Sequence, residues 1–422
     1  MGEIRVKKTN RFWGEFRAPS DKSLTHRAYI IGAICEGGAN IITPLRGQDC
    51  ENTLNILQAI GVKIKKHDIS VTIEPSQLHA SNKPLWCGNS GTTMRLMAGL
   101  LCGLKIPATL VGDESLSRRP MKRIIDPLTQ MGANISGDTP PLKIKPADLH
   151  GIDYESPLAS AQVKTAIMLA GLFANGTTSI TEPMKTRDHT ERMLASVGCG
   201  VKVSGLKVTL EPGMPKQLNM KVPGDISSSA FFMIAASLLG GPLTIRECGI
   251  NPTRTGILDV LTSVGVEYEL ENIRDECGEP VADIYFGMNK NNLHPFKISG
   301  PLVPRLIDEI PALAVLATQC NGESVVKDAQ ELRVKESDRI EKIAHGLREM
   351  GAQIEATEDG FRIFGPTPLK SAIIDSKGDH RIGMAFAIAG LIADGETIIK
   401  NADSIQTSFP NFEQELIRLS HV

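Results

Sequence analysis

Aromatic side chains are scarce: they make up 4% of the 422 residues, with Trp 2 and Tyr 4. That leaves few platforms for stacking nucleobases, and a single-strand-binding surface is not expected. Excess charge of either sign is also missing. Lys+Arg 46 against Asp+Glu 48 gives a net charge of -2, whereas nucleic-acid coats and membrane-surface proteins are usually more basic. Any anion site must be a local cluster of cations. Cysteine is present without pattern. No two of the eight are spaced C-x-x-C and none pairs with His at zinc-finger spacing, so scattered buried thiols in a reducing compartment are expected, with no metal. The start, MGEIRVKK, lacks the apolar stretch of a signal peptide, and Val6 breaks the myristoylation pattern. The longest uncharged run, Ile226 to Ile245, contains four serines and a Gly-Gly-Pro break. It reads as a buried helix, a turn and a strand rather than a membrane span. A cytoplasmic protein without membrane or nucleic-acid partners is expected.

A globular composition is what remains, 41% hydrophobic and 22% charged, over a length that suggests two to four domains at about 100–200 residues each. The chain repeats itself. LQAIGVKI at 57–64 returns as LTQMGANI at 128–135, LASVGCGV at 194–201, LTSVGVEY at 261–268 and LREMGAQI at 347–354, with a decayed copy in LIRLS at 416–420. Each reads as an amphipathic helix stopped by a left-handed Gly cap and feeding a strand. A second pattern interleaves with the first: an all-round apolar helix, a Gly turn and an apolar strand, as in AIMLAGLFANGTTSIT and AFAIAGLIADGETII. Such helices should be buried. Six units of about 70 residues suggest two halves of three units each. Short crossing strands would join the halves, because no Pro- or Ser-rich linker is present.

Polar segments recur where the apolar helices begin: APSDKSLTHR at 18–27, GNSGTTMR at 88–95, SAQVKTA at 160–166 and GDISSSAFF at 224–232. Ser20 or Asp21 would cap the first of these helices. Converging helix N-termini attract anions through free N–H groups and the helix dipole. None of these segments has the Walker or dinucleotide-binding pattern. DESLSRRPM at 113–121 and MKTRDHTERM at 184–193 add cations. In the second half, Asp308 and Glu309 directly precede an apolar helix, where acids are ordinary dipole partners. ELRVKESDRI at 331–340 places Lys335, Glu336 and Arg339 within one expected helical turn, a pattern usually found on a solvated face. Asp379, His380 and Arg381 open the last buried helix, where His380 could simply cap or pair with Asp379.

SDKSLTHR, GNSGTTMR, SAQVK, RVKESDR and DHR, in this order and spacing, resemble the 5-enolpyruvylshikimate-3-phosphate synthase family from end to end. SAQVK and TRDHT look like its second, bacterial class. The resemblance implies an α/β fold, a two-domain inside-out α/β barrel of six βαβαββ units, three per domain, with helices inside and sheets outside. Its domains would be 22–235, and 1–21 with 236–422. It implies enolpyruvyl transfer from phosphoenolpyruvate to the 5-hydroxyl of shikimate 3-phosphate by a monomer, with no cofactor and no metal. Two anions side by side demand several cations, preferably Arg forks. An acid and a base must serve C3 of the donor and the attacking hydroxyl.

By the same resemblance, Lys22 touches both substrates, while Ser23 and Arg27 hold shikimate 3-phosphate together with Ser160, Ala161, Gln162 and Arg187, with Gln162 also near phosphoenolpyruvate. Gly91, Arg119, Arg339 and Arg381 contact phosphoenolpyruvate. Asp308 stands beside the attacking hydroxyl, with Lys335 at the same substrate. Glu336 donates the proton to the methylene carbon, and His380 lies near the departing phosphate. Glu331 stands where some relatives carry Asn, and Thr407 where some carry Lys. Gly91 leaves room that an Ala would fill, so the phosphonate glyphosate is expected to compete with phosphoenolpyruvate. The sister UDP-N-acetylglucosamine enolpyruvyl transferases fit less well, because their early Lys is followed by Asn, whereas here Lys22-Ser23 leads to Arg27. A non-catalytic repeat scaffold is the remote alternative.

Overall fold

The computed structural model describes residues 2–288 and 292–421. Two compact units make up the chain. The first comprises 20–222 with 275–279, and the second comprises the described residues of 1–19, 223–274 and 280–422.

The first unit holds three four-stranded sheets built to one plan. A strand pairs in parallel with the next, which continues antiparallel into a hairpin. In one sheet Leu218–Lys221 runs parallel to Ala39–Ile42, followed by Ser70–Glu74 and Lys63–Lys66. The same order recurs for Leu85–Trp86, Ala108–Val111, Leu142–Lys145 and Asn134–Ser136. It recurs again for Asp153–Glu155, Thr178–Thr181, Lys207–Leu210 and Val201–Ser204. The apolar helices Lys22–Gly32, Gly91–Gly103 and Ala161–Gly171 are buried along most of their length and form the unit's core. The helices Gln48–Ala59, Lys122–Gln130 and His189–Ser196 bury one face each. This is the expected division of labour between interior and amphipathic helices.

Two interior helices touch backbone to backbone. A Cβ at Gly99 would stand 2.2 Å from the carbonyl oxygen of Ala166, on the neighbouring helix. Backbone cannot swing aside as a side chain does, so Gly99→Ala must push the helices apart. Overpacking of this kind costs about 1–3 kcal/mol, and Gly99→Ala should lower the urea midpoint accordingly.

The second unit repeats the plan. Gly14–Arg17 runs parallel to Leu243–Gly249, which pairs antiparallel with Glu279–Phe286, and Tyr268–Glu276 completes that sheet. Lys297–Ile298, Gly322–Val326, Phe361–Gly365 and Gln353–Ala356 form the next. The last sheet has three strands: Ile373–Asp375 lies parallel to Glu396–Lys400, and Ile4–Lys7 takes the antiparallel position beside it. Ile226–Leu239, Ile310–Ala317 and His380–Ile392 are the buried helices. Around Phe232 gather Phe12, Phe16, Phe409 and Phe412, with ring centroids 4.9–5.5 Å from it.

The repeated glycines do what their spacing predicts. Gly61, Gly132, Gly198, Gly265 and Gly351 all have φ between 88° and 98°, and a strand begins two or three residues after each. The decayed sixth copy also ends its helix, Phe412–Ser420, in a left-handed residue, but that residue is His421. The uncharged run from Ile226 resolves into the helix Ile226–Leu239, a left-handed Gly240 and the strand Leu243–Gly249. The units depart from the domain expectation in three places: residues 20–21 and 275–279 belong to the first unit, and 223–235 belong to the second. The first unit stops at Val222 rather than 235, because the Ile226–Leu239 helix packs with the phenylalanine cluster of the second unit. Seven of the eight cysteines are buried and Cys277 is half-buried. Burial pushes thiols such as Cys87 and Cys102 up to about 12. Among the described residues no helix is long and apolar enough to cross a membrane.

Candidate active site

In the first unit the expected anion-binding residues gather at three helix starts. Asp21 caps Lys22–Gly32 by accepting from Leu24 N at 2.8 Å, so of the two proposed caps Asp21 serves. Ser90 caps Gly91–Gly103 and Ser160 caps Ala161–Gly171. Each cap takes up one first-turn N–H, from Leu24, Thr93 and Val163 respectively, and the other N–H groups of that turn have no partner within the helix, the feature on which helix-start anion sites rest. Lys22 Nζ lies 3.1 Å from Asp49 Oδ2, and both side chains are 16% exposed. Arg119 donates to Asn89 Oδ1 and, at 3.3 Å, to Ser115 Oγ. Gly91 faces two guanidinium groups. A Cβ there would stand 3.0 Å from Arg95 Nη1 and 3.5 Å from Arg119 Nη1. Arg95 in turn donates to Gln162 Oε1, and Gln162 Nε2 donates to Thr92 Oγ1 at 2.9 Å. Gly91, Arg119, Gln162 and the unassigned Arg95 are thus linked.

Arg27 is buried in a lattice of hydroxyls. Its Nε donates to Thr190 Oγ1 at 2.8 Å, Nη2 to Thr165 Oγ1 at 2.9 Å and Nη1 to the Ser23 carbonyl at 3.0 Å. Burial pushes its pKa down to about 10; Glu191 works against that shift and Arg187 works with it. A buried cation beside a second one is a setting that favours an anion. Arg187 sits in the irregular residues 185–188, half-buried, just before the helix His189–Ser196. Beneath this surface His26 bonds Thr53 at 2.8 Å, and burial pushes it down to about 3, so it stays neutral.

The second unit centres on Arg339, 1% exposed. Its Nε donates to Asp379 Oδ2 at 2.9 Å and its Nη2 to Glu336 Oε2 at 2.6 Å, while Nη1 lies 3.4 Å from Asp308 Oδ1. Burial works against the charge of Arg339, yet Asp379, Glu336 and Asp308 outweigh it and raise its pKa. Arg381 donates to the Asp308 carbonyl at 3.1 Å and reaches Asp308 Oδ2 at 3.6 Å. Asp379, fully buried, caps the helix His380–Ile392 through Arg381 N and also accepts from Ser337 Oγ at 2.9 Å. His380 is the first residue of that helix and is buried. Burial holds Lys335 below the ordinary lysine range, although Asp308 and Glu331 pull the other way. Thr407 ends a short 3-10 helix and donates to the Ser404 carbonyl.

Two readings of this half are corrected. Lys335, Glu336 and Arg339 do not share a helical turn. Lys335 is extended, Asp338 is the N-cap, and the helix begins only at Arg339. The charged segment is no solvated face either, because its guanidinium is held inside by carboxylates from Asp308 and Asp379, far away in sequence. The structure adds Arg95, Asp49 and Asp379 to the residues that the resemblance assigned to the site. Arg95 and Asp379 stood inside GNSGTTMR and DHR; Asp49 sits in an ordinary amphipathic helix and carried no signal. Among the described residues no three His, Cys, Asp or Glu side chains are grouped to hold a metal ion.

The arrangement can hold anions in the first unit. In the second it can present two carboxylates, Asp308 and Glu336, on one guanidinium fork. The family model for EPSP synthase (3-phosphoshikimate 1-carboxyvinyltransferase) matches residues 6–416. A 3-phosphoshikimate 1-carboxyvinyltransferase of Brevibacillus brevis is 48% identical over 426 residues, covering 99% of this chain and 100% of that relative. One from Citrifermentans bemidjiense is 47% identical, covering 98% of each. The solved EPSP synthase of Acinetobacter baumannii superposes with a TM-score of 0.89 at 42% identity, covering 100% of this chain and 98% of that one. On the family match and these identities, the chain belongs to the EPSP synthase (3-phosphoshikimate 1-carboxyvinyltransferase) family.

Proposed function

We propose that the chain transfers the enolpyruvyl group of phosphoenolpyruvate to the 5-hydroxyl of shikimate 3-phosphate, releasing phosphate, in chorismate and aromatic amino-acid biosynthesis. The observation that carries the reading is the Arg339 fork, which holds Asp308 and Glu336 in one charged cluster. In the proposed mechanism Glu336 gives its proton to C3 of phosphoenolpyruvate. The 5-oxygen bonds to C2, and its proton passes to Asp308. The tetrahedral intermediate then returns a C3 proton to Glu336 as the C2–O bond to phosphate breaks, and the proton held by Asp308 passes to the departing phosphate, which leaves as hydrogen phosphate. Shared contact with one cation favours ionised carboxylates, so Glu336 must take up its proton as substrate alters the balance of charge around it.

The remaining groups bind. Ser23, Arg27, Ser160, Ala161, Gln162 and Arg187 hold shikimate 3-phosphate, with Lys335 at the same substrate. Gly91, Arg119, Arg339 and Arg381 hold phosphoenolpyruvate. Lys22 serves both substrates, and His380 meets the leaving phosphate. In this reading the first unit chiefly binds shikimate 3-phosphate, and the second completes the donor site and supplies acid and base. Positioned Arg forks suit these carboxylate and phosphate oxygens. The proposed setting is the cytoplasm and the proposed state a monomer, which sedimentation at working concentration would check.

Mixing protein with phosphoenolpyruvate and shikimate 3-phosphate should release phosphate. No release, or release only when UDP-N-acetylglucosamine replaces the acceptor, refutes the reading. Glyphosate should compete with phosphoenolpyruvate. A methyl at residue 91 would crowd the Arg95 and Arg119 guanidinium groups, and Gly91→Ala should raise the glyphosate inhibition constant about tenfold or more, a difference of about 1.4 kcal/mol. An unchanged constant would remove Gly91 from the inhibitor site.

A further inference from the structure

Behind the residues assigned to shikimate 3-phosphate, the first unit buries a second charged cluster. Lys164 is 1% exposed, Glu182 2% and Glu191 3%. Lys164 Nζ donates to Glu182 Oε2 at 2.7 Å and lies 2.7 Å from Glu191 Oε1. Two carboxylates thus face one ammonium, and Glu191 also acts on the buried Arg27 guanidinium. Such clusters give little net stability compared with apolar side chains of the same size, so a role in holding geometry explains this one better.

Each member sits beside an assigned residue. Lys164 follows Gln162 by two positions on the helix Ala161–Gly171. Glu182 directly follows the strand Thr178–Thr181, and Glu191 lies in the first turn of His189–Ser196. The two glutamates therefore bracket the irregular stretch that carries Arg187. Within that stretch Thr186, next to Arg187, donates to Glu182 Oε1. Thr190, next to Glu191, accepts from Arg27 and lies 2.6 Å from Thr165 Oγ1, whose neighbour is Lys164. One ammonium ties together the helix start at 160–162, the Arg187 stretch and the hydroxyls that orient Arg27.

Building on the function proposed above, we propose that Lys164, Glu182 and Glu191 are positioning residues for the phosphate group of shikimate 3-phosphate. They touch no substrate; they fix the relative placement of Arg27, Arg187 and the Ser160–Gln162 segment, as buried supporting shells do for other sites. Glu191→Gln keeps the shape and removes a charge. Thr186→Val exchanges one hydroxyl for a methyl, and it carries the test should Glu191→Gln fail to fold.

Each variant should raise KM for shikimate 3-phosphate about tenfold and leave KM for phosphoenolpyruvate within about twofold, the pattern of a lost binding contact. The kcat/KM preference for shikimate 3-phosphate over unphosphorylated shikimate should fall in parallel. A variant that melts like wild type yet keeps the wild-type KM, raises both KM values equally, or keeps the full preference overturns the proposal. Should the wild-type protein release no phosphate at all, the proposed function fails. Calorimetry with inorganic phosphate then still reads the cluster: weaker binding in the variants supports it and equal binding overturns it.

Discussion

Glu336→Gln and Asp308→Asn should each lower kcat by about 10²–10⁴, the range spanned by removing one positioned general acid or base. The two variants should differ in a second respect. Glu336 is assigned the proton that enters and leaves C3, so in heavy water the wild-type product should carry deuterium at its methylene carbon. Glu336→Gln should suppress that incorporation. Asp308 acts on the acceptor oxygen, and Asp308→Asn should slow turnover without abolishing exchange in whatever product forms. Both side chains are polar and partly exposed, at 29% for Glu336 and 15% for Asp308, and the amides keep their shape. Circular dichroism should therefore report an intact fold. Wild-type turnover in either variant removes that residue from the mechanism.

Arg339→Met should be the most destabilising of the changes considered. It leaves Asp379, 0% exposed, without the guanidinium that neutralises it. Stranding one partner of a buried ion pair costs about 3–5 kcal/mol. Adding Asp379→Asn to Arg339→Met should recover part of that loss, and a double-mutant cycle by urea unfolding measures the coupling. The pH dependence has a definite sign. Burial alone would raise the Asp379 carboxyl, but Arg339 outweighs it and holds the pKa below the usual aspartate value. A carboxylate depressed in the folded state contributes stability above its unfolded pKa of about 3.9, and that contribution is lost as pH falls through the lower, folded value. The wild-type protein should lose this increment in acid, and Asp379→Asn should show a flatter acid limb. A variant with an unaltered acid limb would exclude Asp379 as the titrating group.

The fold was legible because its signals are local and repeated. A helix that ends in Gly and feeds a strand needs only a handful of neighbouring residues to declare itself, and five such copies leave little freedom for another architecture. The helix starts with polar caps were legible for the same reason. What escaped the reading depends on partners distant in sequence. The charged stretch around Arg339 has the composition of a solvated helix face, and only Asp308 and Asp379 show why its guanidinium lies inside. Lys164 looks like one more polar residue leading into an apolar helix until Glu182 and Glu191 are placed around it. The expected boundary cut through the helix Ile226–Leu239 because its all-apolar surface does not say which core it joins; Phe12 and Phe409 decide that.

Ile4 pairs with Ile399 across the last sheet. During synthesis, which runs from the N-terminus and lets domains form as they emerge, that strand must wait for about 400 further residues before its partner leaves the ribosome. The first unit lacks only the short 275–279 segment once Val222 is out. Its folding can begin on the nascent chain, whereas the second unit closes later and keeps an unmatched sheet edge open until Glu396–Lys400 has emerged.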